Sequence, residues 1–146
     1  MTPHGRDGHA PLHRRARCSR ASGRMRSRKS ALVKHFKWVP KGKRRLHQAP
    51  NVREIGACLP WLDAEIELIR PRVLVCLGAT AAKALLGRAF RVSSQHGTFV
   101  PNPRAEFVMA TTHPSAILRQ RTSEARERGL AQLVADLARV ADVLRA

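Results

Sequence analysis

The sequence contains no tyrosine, two tryptophans and four phenylalanines among 146 residues. So few rings exclude stacking platforms as the main device for holding single-stranded nucleic acid. Three scattered cysteines, Cys18, Cys58 and Cys76, exclude a disulfide framework and fit a reducing cytoplasm. Acidic residues are also scarce: ten Asp+Glu stand against 28 Lys+Arg, a formal net charge of +18. That excludes an acidic calcium buffer and argues for a polyanionic partner, most simply nucleic acid. No apolar run approaches the ~20 residues of a membrane span. No apolar h-region follows the start, so neither a membrane partner nor secretion is expected.

The charge is divided unevenly. Residues 1–47 hold 15 basic residues and one acid, Asp7, whereas residues 48–146 hold 13 basic and nine acidic residues. Residues 1–30 show no helical or strand period, and their only apolar side chains larger than Ala or Cys are Met1, Leu12 and Met25. Such a segment cannot bury enough surface to offset its ordering entropy. Three readings stay open for it: a disordered basic leader, an Arg-rich transit peptide, or the product of a frameshift or mistaken start in GC-rich DNA. Residues 31–146 are expected to form the domain.

Within that domain Ala31–Phe36 reads as a short strand, and a basic loop spans Lys37–Pro50. Asn51 and Glu54 form a capping box. Behind them Ile55, Cys58, Leu59, Leu62, Ile66 and Ile69 repeat at helical spacing over about residues 52–69, with a kink or break expected at Pro60. Val73–Leu77 is a continuous apolar run of strand length, the mark of a strand covered on both faces. A short helix over 81–86 is closed by Gly87, residues 88–105 read mostly as loop, and Phe107–Thr112 reads as a second buried strand. In the last helix Leu130, Leu133, Val134, Leu137, Val140 and Leu144 form one apolar stripe. Strands alternating with helices predict an open α/β sheet with helices on its faces.

Ligands of such sheets bind at the carboxyl ends of the strands. Three polar segments fall there: the basic loop with Lys43-Arg44-Arg45-Leu46-His47, the Gly78-Ala79-Thr80 turn, and His113-Pro114-Ser115-Ala116-Ile117-Leu118-Arg119. His113 follows a buried strand and precedes a proline, which holds it at the rim. Arg119 lies one helical turn beyond Ser115, a spacing suited to adjacent phosphate oxygens. Taken singly, a rim histidine is most often a solvated one and a basic run a solvated loop. Cys76, inside an apolar strand, reads as a small core residue. His35 and Cys58, 23 residues apart, do not by themselves define a metal site.

Taken together, the words VKHFKW, GKRRLHQAP, ACLPWLDAEI, VLVCLGATAAKALLG, FRV and ATTHPSAILR resemble the family 4 uracil-DNA glycosylases from about Val33 to Leu144. The likeness is strongest to their cross-linking branch, UdgX, of actinobacteria and other GC-rich bacteria. The resemblance implies a three-layer α/β/α fold with a parallel sheet, and a cytoplasmic, monomeric bacterial repair enzyme acting on uracil-containing DNA. It implies that His113 stabilises the departing uracil and that Ser115 and Arg119 grip phosphates. It also implies that His47 captures the sugar at C1′ while Lys43, Arg44 and Arg45 seat the loop on DNA. The family carries a 4Fe–4S cluster, for which His35 and Cys58 are the expected remnants, since histidine can replace cysteine at such centres. The family's Gly-Glu-x-Pro-Gly motif, its N-terminal Cys-x-x-Cys pair and its uracil-reading asparagine, due near Ala31, are not in this sequence. An incomplete cluster is therefore expected, together with a fold lacking its first strand and first active-site motif. A catalytically inactive remnant that binds DNA without specificity is the alternative.

Overall fold

A computed structural model describes residues 27–34 and 37–146. Most of the leader and the proposed ligand His35 therefore lie outside the described residues. The first elements among the described residues are the strands of an antiparallel hairpin, β1 (Trp38–Lys41) and β2 (Arg44–His47). Helix α1 (Val52–Ile69) follows, then β3 (Val73–Leu77), α2 (Ala79–Leu86) and the short α3 (Val92–Gln95). Strands β4 (Phe99–Asn102) and β5 (Ala105–Thr111), the short α4 (Pro114–Leu118) and the long α5 (Ser123–Arg145) complete it.

The sheet has the order β3-β5-β4. β3 and β5 run parallel, with Cys76 beside Ala110 and Leu77 beside Thr111; β4 joins the other side of β5 antiparallel. Alternation along β5 divides the core. Val108 and Ala110 face a cluster with Leu62 and Ile66 of α1 and with Ala82 and Leu85 of α2. Thr111 faces the opposite way and bonds to Asp136 of α5. Helices thus cover both faces, giving the expected α/β layering.

α1 starts where the capping box requires. Asn51 accepts from the Glu54 N–H at 2.9 Å, and the Glu54 carboxylate accepts from the Asn51 N–H at 2.7 Å. These bonds, first that from Asn51 and then that from Lys37, hold the Glu54 carboxyl below its ordinary range. Pro60 does not break the helix. It removes the bond to the Gly56 carbonyl, but both residues are exposed, so water can satisfy the freed oxygen.

Three segments differ from the sequence expectation. Residues 31–34 form no strand; side chains hold the segment instead, with Ser30 and Lys34 both bonded to Glu65 of α1 and Leu32 packed on the core. The expected basic loop is a hairpin, turned at Gly42 with a φ of 58°, a conformation that favours glycine. The expected loop over 88–105 contains α3 and β4, so the sheet is mixed rather than wholly parallel. β4 contains Pro101, which an edge strand tolerates because its N–H need not enter the ladder.

Candidate active site

β5 ends at Thr111, and two residues later His113 caps α4. The local sequence dictates the geometry: Pro114 fits the first helical position because it has no N–H to satisfy. His113 turns its ring back over the helix start, and its Nδ1 accepts from the Ser115 N–H at 3.0 Å. A ring nitrogen that accepts carries no proton, so the neutral imidazole is the Nε2–H tautomer. The His113 side chain is exposed. This hydrogen-bond pattern gives the rim of the sheet an Nε2–H donor.

Ser115 and Arg119 meet one turn apart, where an Arg119 Nη donates to Ser115 Oγ at 3.4 Å. Leu118, between them in sequence, is 74 % exposed. Gly78 closes the other side. Its N–H donates to the Thr111 carbonyl at 2.8 Å, tying the ends of β3 and β5 together. A Cβ at Gly78 would lie 3.0 Å from His113 Cβ. The structure therefore brings Gly78, His113, Ser115 and Arg119 together at the carboxyl ends of two parallel strands.

The other candidates form a second group on the hairpin. Arg44 faces Lys41 across the ladder, Arg45 faces Pro40, and His47 faces Trp38. Lys43 lies in the turn. The hairpin is extended by a bond from the Gln48 N–H to the Lys37 carbonyl at 2.9 Å. It is tethered to the start of α1 by the Lys37–Glu54 ion pair at 2.9 Å. A groove lined by Asp63, Ile66, Glu67, Arg70, Pro103 and Arg104 lies at the amino end of β3, away from His113.

Sequence reasoning missed a buried polar cluster behind His113. Asp136 of α5 is 4 % exposed. It accepts from Thr111 Oγ1 at 2.5 Å and pairs with His96 Nδ1 at 3.0 Å. Gly97 packs against it, donating its own N–H to the Ala110 carbonyl while its carbonyl accepts from Arg139. The cluster fixes the last residues of β5, from which His113 projects. Asp136 follows Leu133 by three residues and precedes Val140 by four, so it occupies a core-facing position. That placement is the signal by which the sequence could have marked it.

Of the two expected cluster remnants, Cys58 lies among the described residues and His35 does not. Cys58 is buried on α1 and Cys76 lies in the core cluster. Among the described residues no three His, Cys, Asp or Glu side chains gather as metal ligands. Burial pushes the Cys76 thiol up to about 11, against a small opposing effect of Arg104. At pH 8 its thiolate fraction is then about one in a thousand. In iodoacetamide labelling followed by peptide mapping, Cys76 of the native chain is expected to react at least a hundredfold more slowly than in denaturant. Equal rates would contradict its burial. No helix among the described residues is long and apolar enough to cross a membrane.

Residues 15–138 match the family described as the Uracil DNA glycosylase superfamily. The chain is 36% identical over 81 residues to the Type-4 uracil-DNA glycosylase of Thermotoga maritima, covering 55% of this chain and 42% of that protein. It is 32% identical over 82 residues to the Type-4 uracil-DNA glycosylase of Pyrobaculum aerophilum, covering 51% and 41%. A Type-5 uracil-DNA glycosylase of the same organism is 37% identical over 70 residues, covering 47% of this chain and 30% of that protein. The chain thus spans less than half the length of these relatives. With a match extending over most of its residues, it belongs to the uracil-DNA glycosylase superfamily.

Proposed function

We propose that this chain carries the leaving-group and sugar-capture side of a uracil-DNA glycosylase centre and acts on uracil-containing DNA. The observation that carries the reading is the bond from the Ser115 N–H to His113 Nδ1. It leaves Nε2–H to donate outward. Excision breaks the C1′–N1 bond, the electron pair goes to uracil N1, and negative charge spreads to O2. A donor already aimed at that oxygen stabilises the charge as it develops. The target nucleotide is extruded from the stack first. Arg119 and Ser115 hold flanking phosphates, and Leu118 supplies an exposed apolar tip that can fill the vacated space.

In the finer reading His47 then captures the sugar, as in the cross-linking branch. A ring nitrogen of neutral His47 gives its lone pair to C1′ of the oxocarbenium, a C1′–N bond forms, and the ring proton passes to water. Lys43, Arg44 and Arg45 keep the hairpin on the backbone during this step.

The test uses uracil-containing single-stranded DNA and a denaturing gel. A shifted covalent band that vanishes in His47→Ala is expected. In His113→Ala a drop of about a hundredfold to a thousandfold in the rate of band formation is expected, the usual effect of losing such a donor. Free DNA alone with the parent chain would overturn the reading. Uracil-independent affinity that falls steeply with salt would then identify a non-specific DNA binder.

A further inference from the structure

Beside His47 and Arg45 the hairpin carries Trp38, an aromatic residue that the reaction above does not use. Its register places Trp38, Pro40, Arg45 and His47 on one face, since Trp38 opposes His47 and Pro40 opposes Arg45 and alternate residues share a side. The other face carries Val39 opposite Leu46. Both faces are exposed: Trp38 is 40 %, Val39 38 % and Leu46 42 % accessible. On the first face the Arg45 guanidinium lies over the Trp38 ring, 4.6 Å from its centroid. Residues 31–50 contain no Asp or Glu, and five of the six Lys and Arg there lie within Lys37–Arg45.

We propose that this face is a stacking site for unpaired nucleobases of single-stranded DNA beside the target nucleotide. An indole under a guanidinium presents two flat surfaces on which a base can stack in any sequence. The ring also holds the cation in place before a phosphate arrives. Scarcity of aromatics argued against rows of stacked rings; this device needs a single one. Charge complementarity selects the occupant, because the cations around Trp38 suit a phosphodiester backbone. Base pairs in a duplex keep their faces covered and cannot use the ring. The proposal deepens the reading above by naming the form of the DNA partner, and it requires no chemistry on uracil.

The experiment uses the full-length chain and a uracil-free oligothymidylate, so its result is independent of excision. The chain has two tryptophans, and Trp61→Phe leaves Trp38 as the sole indole fluorophore. Single-stranded oligothymidylate is expected to quench that fluorescence saturably, and a duplex of equal length to quench it much less. Trp38→Ala should lower single-strand affinity by roughly 5- to 100-fold with the salt slope unchanged, and Trp38→Phe should restore most of it. Arg44→Ala should instead reduce the salt slope by about one unit while quenching persists. Circular dichroism of each variant establishes that it is folded. Binding without quenching, equal quenching by duplex, unchanged affinity in folded Trp38→Ala, or no binding by the parent would each overturn the proposal.

Discussion

Replacing Asp136 with alanine is expected to destabilise the folded chain by about 3 kcal/mol. The carboxylate is nearly inaccessible and satisfies two partners at once, Thr111 Oγ1 and His96 Nδ1. Removing it leaves the Thr111 hydroxyl, itself fully buried, without its acceptor. An unsatisfied buried polar group costs about 1–3 kcal/mol and more where the lost partner was charged, so roughly 1–5 kcal/mol in all. His96 remains partly exposed and can turn to water, which favours the middle of that range. Asp136→Asn keeps one acceptor oxygen and should cost about half as much. Equilibrium denaturation in urea measures both, and a change below about 0.5 kcal/mol in Asp136→Ala would refute the role assigned to the cluster. Gly97 supplies the internal control. A Cβ there would collide with Asp136 Oδ1, on a backbone with a φ of 67°. Gly97→Ala should therefore be severe in the parent and milder in the Asp136→Ala background, a non-additivity expected of residues in direct contact.

The second large effect is expected at Gly78. Its φ of 87° and ψ of 170° belong to a region that side chains rarely adopt, at a cost of about 1–3 kcal/mol. Alanine would also drive its methyl group to 3.0 Å from His113 Cβ. The helix cap that orients the imidazole must then shift. The Nε2–H tautomer depends on the bond from the Ser115 N–H, so Gly78→Ala should alter the ring itself as well as stability. Nitrogen NMR of the histidines reads the first, where the parent should show the Nε2–H tautomer of His113 and the variant a tautomer mixture. Thermal unfolding reads the second. A parent-like spectrum and melting temperature would show that the gap at Gly78 is not needed.

These two glycines and one aspartate also mark where the sequence was legible and where it was not. α1, β3, β5 and α5 could be read directly, because each is a continuous or periodic apolar pattern bounded by a cap or a proline. Asn51 with Glu54 placed the start of α1 to the residue. The His113 group was legible because a buried strand running into His-Pro-Ser leaves a histidine only the rim. The hairpin was not, since cations and Pro40 obscure the alternation of Trp38 to Lys41, and its pairing across Gly42 depends on backbone geometry. The Ala31–Phe36 expectation rested on apolar composition, yet a strand exists only through ladder partners, and residues 31–34 are held by Glu65 instead. In α5 the apolar stripe suggested burial of Leu130, Val134 and Leu137, which are 55 %, 58 % and 43 % exposed. The helix is turned to put Asp136 inward, a choice set by Thr111 and His96 on other elements.

The Thr111–Asp136 bond also orders events during synthesis. Every residue of the His113 group precedes residue 120, but the carboxylate that secures the strand beneath it belongs to the last helix. A chain emerging from the ribosome amino end first can pair β3 with β5 before α5 exists, yet the group is anchored only once α5 has emerged and docked. The rim histidine is thus secured only after α5, which follows it in sequence, has docked.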